Sequence, residues 1–248
     1  MQEWLGGALA LGLALLWLLA APSIRKYISG GKCTSTAKLN GKVVVITGAN
    51  TGIGKETARD LAGRGARVIL ACRDMEKAEA AANEIRTKTG NQQVIAKKLD
   101  LADTKSIREF AENFLKEEKE LHILINNAGV LLCPYSKTVD GFEMQFAVNH
   151  FGTRVTANAL HPGSIVSELG RHLTILIFLG KLLTFFLKTP QEGAQTSVYC
   201  AVAEELESVS GKYFSDCKPA YVWPQGCDDE TAKKLWDVSC ELLGIQWD

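Results

Sequence analysis

The sequence predicts an α/β protein, a doubly wound parallel sheet behind an N-terminal transmembrane helix. Three observations carry that reading. Short β-branched runs alternate with segments of helical spacing, a glycine-rich turn joins the first run to the first helix, and an unbroken apolar run opens the chain. With 248 residues and 46% apolar content, one sizeable core can be buried.

The apolar run, Trp4 to Ala21, is at the short end of what crosses a bilayer. Pro22 closes it and Arg25-Lys26 follow, which puts the main body in the cytosol by the positive-inside rule. A cleaved signal peptide would carry its positive charge ahead of the apolar run, and here only Glu3 precedes it. Residues 1–26 are therefore read as a membrane anchor, and the small, polar residues 27–40 as a linker.

From residue 41 to 248 the pattern is that of one domain. Val43–Thr47, Val68–Cys72, Val94–Leu99 and His122–Asn126 read as buried strands. The stretches Thr57–Gly65, Lys77–Lys88 and Thr104–Lys119 between them read as helices, so the units are βαβ and the sheet is parallel. A helix is expected over Asp140–Phe151 and a strand over Val155–Leu160, falling beside the fourth strand to continue one sheet. Beyond the very apolar Leu173–Leu187 come a helix from Thr189 to Leu206, a strand at Lys212–Ser215 and a closing helix, Asp229–Leu243. Leu173–Leu187 is too short for a confident second span; it either rests on a membrane surface or packs on the domain's own core.

The turn after the first strand carries the chemistry. Thr47-Gly48-Ala49-Asn50-Thr51-Gly52-Ile53-Gly54 sets glycines where a backbone must turn tightly and approach a pyrophosphate, with a helix N-terminus behind it, as in Rossmann-type sites. At the tip of the second strand a carboxylate would accept bonds from an NAD ribose; here Cys72 stands there and Arg73 follows. A guanidinium suits a 2′-phosphate, so NADP(H) is the expected cofactor, although Arg73 also has Asp74 beside it as an ordinary surface partner. Asp100 is placed to accept from the adenine amino group, and Asn127, Ala128 and Gly129 leave room for the adenosine ribose.

Other function classes find little support. The formal net charge is zero, with no basic stripe, so nucleic acid is not an expected partner. Seven scattered cysteines without a C-x-x-C pair argue against a disulfide framework or structural zinc and fit a reducing compartment. His161 and His172 are isolated, and His161 reads as part of a strand-end turn, so no metal is expected.

These motifs resemble the short-chain dehydrogenase/reductase family: T-G-x-x-x-G-x-G at 47–54, N-N-A-G at 126–129, N-x-x-G at 149–152 and P-G at 162–163. The start APSIRK, the stretch GKVVVITGANTGIGKETA, the block LHILINNAGVLLCPYSKT and the ending LWDVSCELLGIQW are similar to the retinol dehydrogenase 11/12 group. That resemblance implies an endoplasmic-reticulum membrane protein (a mitochondrial membrane is the alternative) with a cytosolic, NADP(H)-linked domain. It also implies retinoids or other lipophilic aldehydes as substrates, with Pro162 and Gly163 joining the cofactor site.

One departure counts against activity. The family sets a Ser and a Y-x-x-x-K pair between N-x-x-G and P-G, but here Gly152-Thr153-Arg154 runs directly into VTANALHPG. The chain thus reads as truncated internally by roughly fifty to seventy residues, given about thirty per βαβ unit. No tyrosine compensates: Tyr27, Tyr135, Tyr199, Tyr213 and Tyr221 have Gly31, Val139, Ala203, Cys217 and Gln225 four residues on. Only Asn149 remains of the family's catalytic positions. The expectation is a catalytically impaired oxidoreductase without the family-type dimer, whose contact would use the missing helix. The alternatives are an inactive membrane-bound dinucleotide binder or a non-functional splice product.

Overall fold

The computed structural model describes residues 2–150, 157–165 and 184–245, with side-chain surroundings from residue 16 onward. The expected end of the Asp140–Phe151 helix, the Gly152–Arg154 turn, His172 and most of Leu173–Leu187 lie outside the described residues.

The chain begins with α1 (Gln2–Ser29), which continues through Pro22 and takes in the first residues expected to be linker. Then follow β1 (Val43–Thr47), α2 (Gly52–Gly63), β2 (Arg67–Cys72), α3 (Met75–Thr89), β3 (Val94–Lys98), α4 (Thr104–Glu117) and β4 (Ile123–Ile125). These strands form one parallel sheet in the order β3-β2-β1-β4, as the βαβ pattern requires. Period-two alternation divides the core. Val44, Ile46, Val68 and Leu70 meet Ala58 and Leu61 of α2 and Ala82 and Ile85 of α3, while Val43, Val45 and Ile69 meet Phe114 of α4 on the opposite face. The alanines are what lets α2 and α3 lie so near the sheet. Arg67 pins the end of α4 by donating to Glu118 at 2.6 and 2.8 Å.

The later half departs from expectation. Helix α5, described over Met144–His150, starts later than Asp140 because Glu143 caps it, accepting from Gln145 N (3.0 Å) and Phe146 N (2.7 Å). Asp140 instead accepts from the backbone and hydroxyl of Thr104 at the head of α4. Strand β5 is Ala159–His161 and does not lie beside β4, so the expectation of one continuous sheet fails. It pairs in parallel with β6 (Tyr213–Ser215), which pairs antiparallel with β7 (Lys218–Pro219), forming a second sheet. Asn158 is the physical reason: its amide donates to Val209 O at 2.8 Å and accepts from Lys212 N at 3.0 Å, latching the strand to β6. Helix α6 (Pro190–Val202) opens with a capping box between Thr189 and Glu192 and packs Val198 and Val202 into the core beside α2. Helix α7 (Asp229–Leu243) closes the described chain before Gly244.

Among the described residues no helix is long and apolar enough to cross a membrane. The larger part of the expected span, up to residue 15, falls on side chains outside the description. What is described of α1 is docked. Trp17 lies against Phe185 and Phe186, with ring centroids 5.4 and 6.1 Å apart. Arg25 and Ser29 hold Glu192 at 2.5 and 2.7 Å. Beyond the helix, Cys33 N donates to Gln195, and Arg64 donates to the carbonyls of Ser35 and Ala37. The stretch up to Asn40 has no regular structure after Ser29, yet it is fastened along its length.

Candidate functional site

The site lies where β1–β4 end and their helices begin, the place where such sheets present ligands. A cleft of about 290 Å³ opens there, floored by the turn 47–54 and walled by residues 71–74, Lys77, 99–101, 127–131 and Val148. The backbone turns at Gly48 (φ +64°) and Gly52 (φ +56°), a conformation that L side chains rarely adopt. Space is as decisive as dihedral angle. A Cβ at Gly48 would lie 2.9 Å from Ala128 Cα, and one at Gly54 would overlap the Asn127 amide nitrogen. The cradle is thus open to a pyrophosphate and closed to side chains. Helix α2 aims its N-terminus at it, with no acidic residue in the first turn and no side-chain cap from Thr51.

Thr47 joins the two turns that make the floor. Its hydroxyl accepts from Asn127 N (3.0 Å) and Ala128 N (2.9 Å), while the Asn127 side chain donates to the carbonyls of Thr47 (2.9 Å) and Gly48 (3.2 Å). In sequence Thr47 is only the first letter of the glycine motif; its role as a clamp depends on β4 lying beside β1. Asn149 serves similarly. Its amide accepts from Val130 N and donates to Val130 O, both at 3.0 Å, so it braces the loop after β4.

The other expected positions are distributed as follows. Gly48, Asn50, Thr51, Gly52, Ile53, Gly54, Arg73, Asp100, Asn127, Ala128 and Gly129 all line the cleft. Ala49 is fully buried beneath the turn. Asp100 accepts from Ala102 N at 3.0 Å, holding the loop after β3. Burial pushes the Cys72 thiol up to about 11 against the pull of the Ala49 and Asn50 backbone bonds, so a neutral thiol stands at the tip of β2. Arg73 and Lys77 bring exposed cations to the same corner; the signal for Lys77 in sequence is only its place one turn into α3. Pro162 and Gly163 lie beyond the cleft, where Gly163 packs on Lys188 and its backbone N–H donates to His161 Nδ1 at 3.2 Å. Among the described residues no three His, Cys, Asp or Glu side chains gather as metal ligands.

Comparison with known proteins agrees with this geometry. Residues 42–171 match the short chain dehydrogenase family. The chain is 49% identical to human retinol dehydrogenase 12, over 93% of this chain and 95% of that protein. It is 47% identical to human retinol dehydrogenase 11 in an alignment of 318 positions that covers 100% of both. Among solved structures, an uncharacterised protein from Mycobacterium paratuberculosis superposes with a TM-score of 0.66 at 26% identity, over 88% of this chain and 99% of that one.

Proposed function

The chain belongs to the short-chain dehydrogenase/reductase family, and from that premise we propose that it is an NADP(H)-binding protein of the retinol dehydrogenase type, membrane-anchored and catalytically impaired. The observation that carries the nucleotide reading is the glycine cradle, which a Cβ would fill, facing Arg73 and Lys77. NADP(H) rather than NAD(H) is supported by those two cations and by the neutral Cys72 thiol where a ribose-binding carboxylate would stand. The retinoid class is supported by the names of the two relatives. A membrane anchor with the domain in the cytosol is supported by the apolar run Trp4–Ala21 and by Arg25-Lys26 after it, and the endoplasmic reticulum, with a mitochondrial membrane as the alternative, only by the resemblance to the retinol dehydrogenase group.

When bound, the nicotinamide would supply the hydride. The chain's residues must then hold the cofactor and deliver a proton to the carbonyl oxygen. Holding falls to the α2 N-terminus, the Thr47–Asn127 clamp and the cations beyond β2. For the proton, no Tyr is followed four residues on by a Lys. General acid catalysis is worth roughly 10²–10⁴-fold, and Asn149 is spent on Val130. Loss of an internal segment is supported by the 318-position alignment set against 248 residues. A second reading, an inactive nucleotide-binding partner, is favoured by the same missing pair.

Titrating the detergent-solubilised full chain with NADPH and with NADH, and assaying all-trans-retinal reduction, tests the proposal. Tighter NADPH binding with turnover at least about a hundredfold below that of retinol dehydrogenase 11 is expected. Absence of nucleotide binding refutes the site, and ordinary turnover refutes the impairment.

A further inference from the structure

Among the described residues, α1 meets the body of the domain at two heights. At the upper one Arg25 and Ser29 donate to Glu192, in the first turn of α6. At the lower one Trp17 meets Phe185 and Phe186 of the one-turn 3₁₀ helix Thr184–Phe186, whose two rings stand edge to face at 5.2 Å. Because α1 is helical from Gln2 to Ser29 without a break, Trp17 and Arg25 are separated by about 12 Å along its axis. The chain from Phe186 to Glu192 makes the same climb. It therefore runs alongside α1, from an apolar contact up to a polar one.

The lower contact falls inside the apolar run. Trp17 precedes its end at Ala21 by about 6 Å, and the headgroup layer of each bilayer leaflet is roughly 5–8 Å deep. Around Trp17, Leu16, Leu18 and Leu19 are 64%, 69% and 70% exposed. Successive helical residues point about 100° apart, so these side chains look in every direction from the axis, and the domain takes only the side of Trp17. A protein groove covers one face of a helix; a helix apolar on all its remaining faces is matched by hydrocarbon. Beyond the run, Lys26 is exposed at the level where phosphate headgroups would meet it.

We infer that Phe185 and Phe186 form a second, monotopic membrane contact, seated at the boundary of headgroups and acyl chains beside the anchor. The inference rests on the anchor reading above and goes beyond it. The domain is not a body swinging on a tether but is pressed on the phospholipid surface in one orientation. The start of α6 lies near the membrane, and α4, which packs on the opposite face of the sheet, lies away from it. Of the two places open to the apolar stretch that ends at Leu187, its Phe185–Phe186 end takes the membrane surface.

Tryptophan placement in vesicles tests this. The full chain is reconstituted in phosphatidylcholine vesicles, either plain or brominated near the headgroup end of one acyl chain, where bromine quenches any tryptophan that reaches it. The emission that Phe186→Trp adds over wild type should fall at least about twofold in brominated vesicles, because a ring at the headgroup–acyl boundary meets the quencher. The emission added by Leu115→Trp, at a 75% exposed position on α4, should be the same in both. Phe186 is 47% exposed, so neither variant should shift Tm. If wild type resists extraction by alkaline carbonate while Phe186→Trp is quenched no more than Leu115→Trp, the second contact is overturned and the anchor stands. Release of wild type by carbonate would overturn the anchor and the second contact together.

Discussion

Replacing Thr47 by Val tests the clamp between the two turns of the site. The residue is 4% exposed, and Val keeps its shape while removing the one oxygen that accepts from Asn127 N and Ala128 N. The two donors do not suffer equally. Asn127 N also reaches Ile125 O at 3.0 Å and keeps that partner, whereas Ala128 N loses the acceptor it has in the clamp. A donor left without its acceptor costs about 1–3 kcal/mol when buried; Ala128 is half-buried on the cleft wall, and with Asn127 N also losing one of its two acceptors the expected total is about 2 kcal/mol. For a domain of this size that corresponds to a fall in Tm of roughly 4–8 °C. Thr47→Ser keeps the oxygen and loses one methyl, so it should cost no more than about 1 kcal/mol. Thermal unfolding of the three proteins in one detergent decides the matter. A Val variant melting within 1 °C of wild type, or a Ser variant as damaged as Val, would show that the hydroxyl does not clamp the turns (1 °C being well below the ~2–4 °C expected per kcal/mol).

Two further outcomes are expected. Gly54→Ala drives a methyl into the Asn127 amide and puts it 2.8 Å from Gly48 O, a backbone atom that cannot simply rotate away. It should destabilise by roughly 1–3 kcal/mol and abolish NADPH binding, and a Gly54→Ala chain that titrates normally would contradict the cradle. Burial raises the pKa of Glu192, but bonds from Thr189 N, Arg25 and Ser29 outweigh it and bring the carboxyl from 4.5 down to about 2. Because the folded value is the lower one, the docking it supports is complete above pH 4.5 and is lost as pH falls towards 2. Proteolysis across residues 27–33 should therefore accelerate over that window in wild type and be fast and flat in Glu192→Gln; identical profiles would remove Glu192 from the junction.

The first half of the fold was legible because its strands advertise themselves. Val43–Thr47 is a β-branched run and Val68–Cys72 an apolar one, each between turns, and βαβ connection rules leave little freedom in how they pair. The cradle was legible for a related reason: Gly48, Gly52 and Gly54 are constrained by local backbone geometry. Val155–Leu160 reads as a strand too, but periodicity does not name a strand's neighbour. That choice was made by Asn158, whose amide finds Val209 and Lys212 some fifty residues on. A helix start is hard to place where two acids compete for it, and here Glu143 takes α5 while Asp140 turns to Thr104. The clamp roles of Thr47 and Asn149 depend on contacts 81 and 19 residues away, which no local motif encodes.

The bond from Arg25 to Glu192 spans 167 residues. Ribosomes add about 5–20 residues per second, so the first-made segment waits roughly 10–30 s for the acid that will hold it. During that interval α1 is free to be taken up by whatever receives nascent apolar helices, while the nucleotide-binding half assembles from near neighbours in the chain. Attachment of the two is therefore a late event in biogenesis, and lesions at Arg25, Ser29 or Glu192 should show in newly made chains before they show in mature ones.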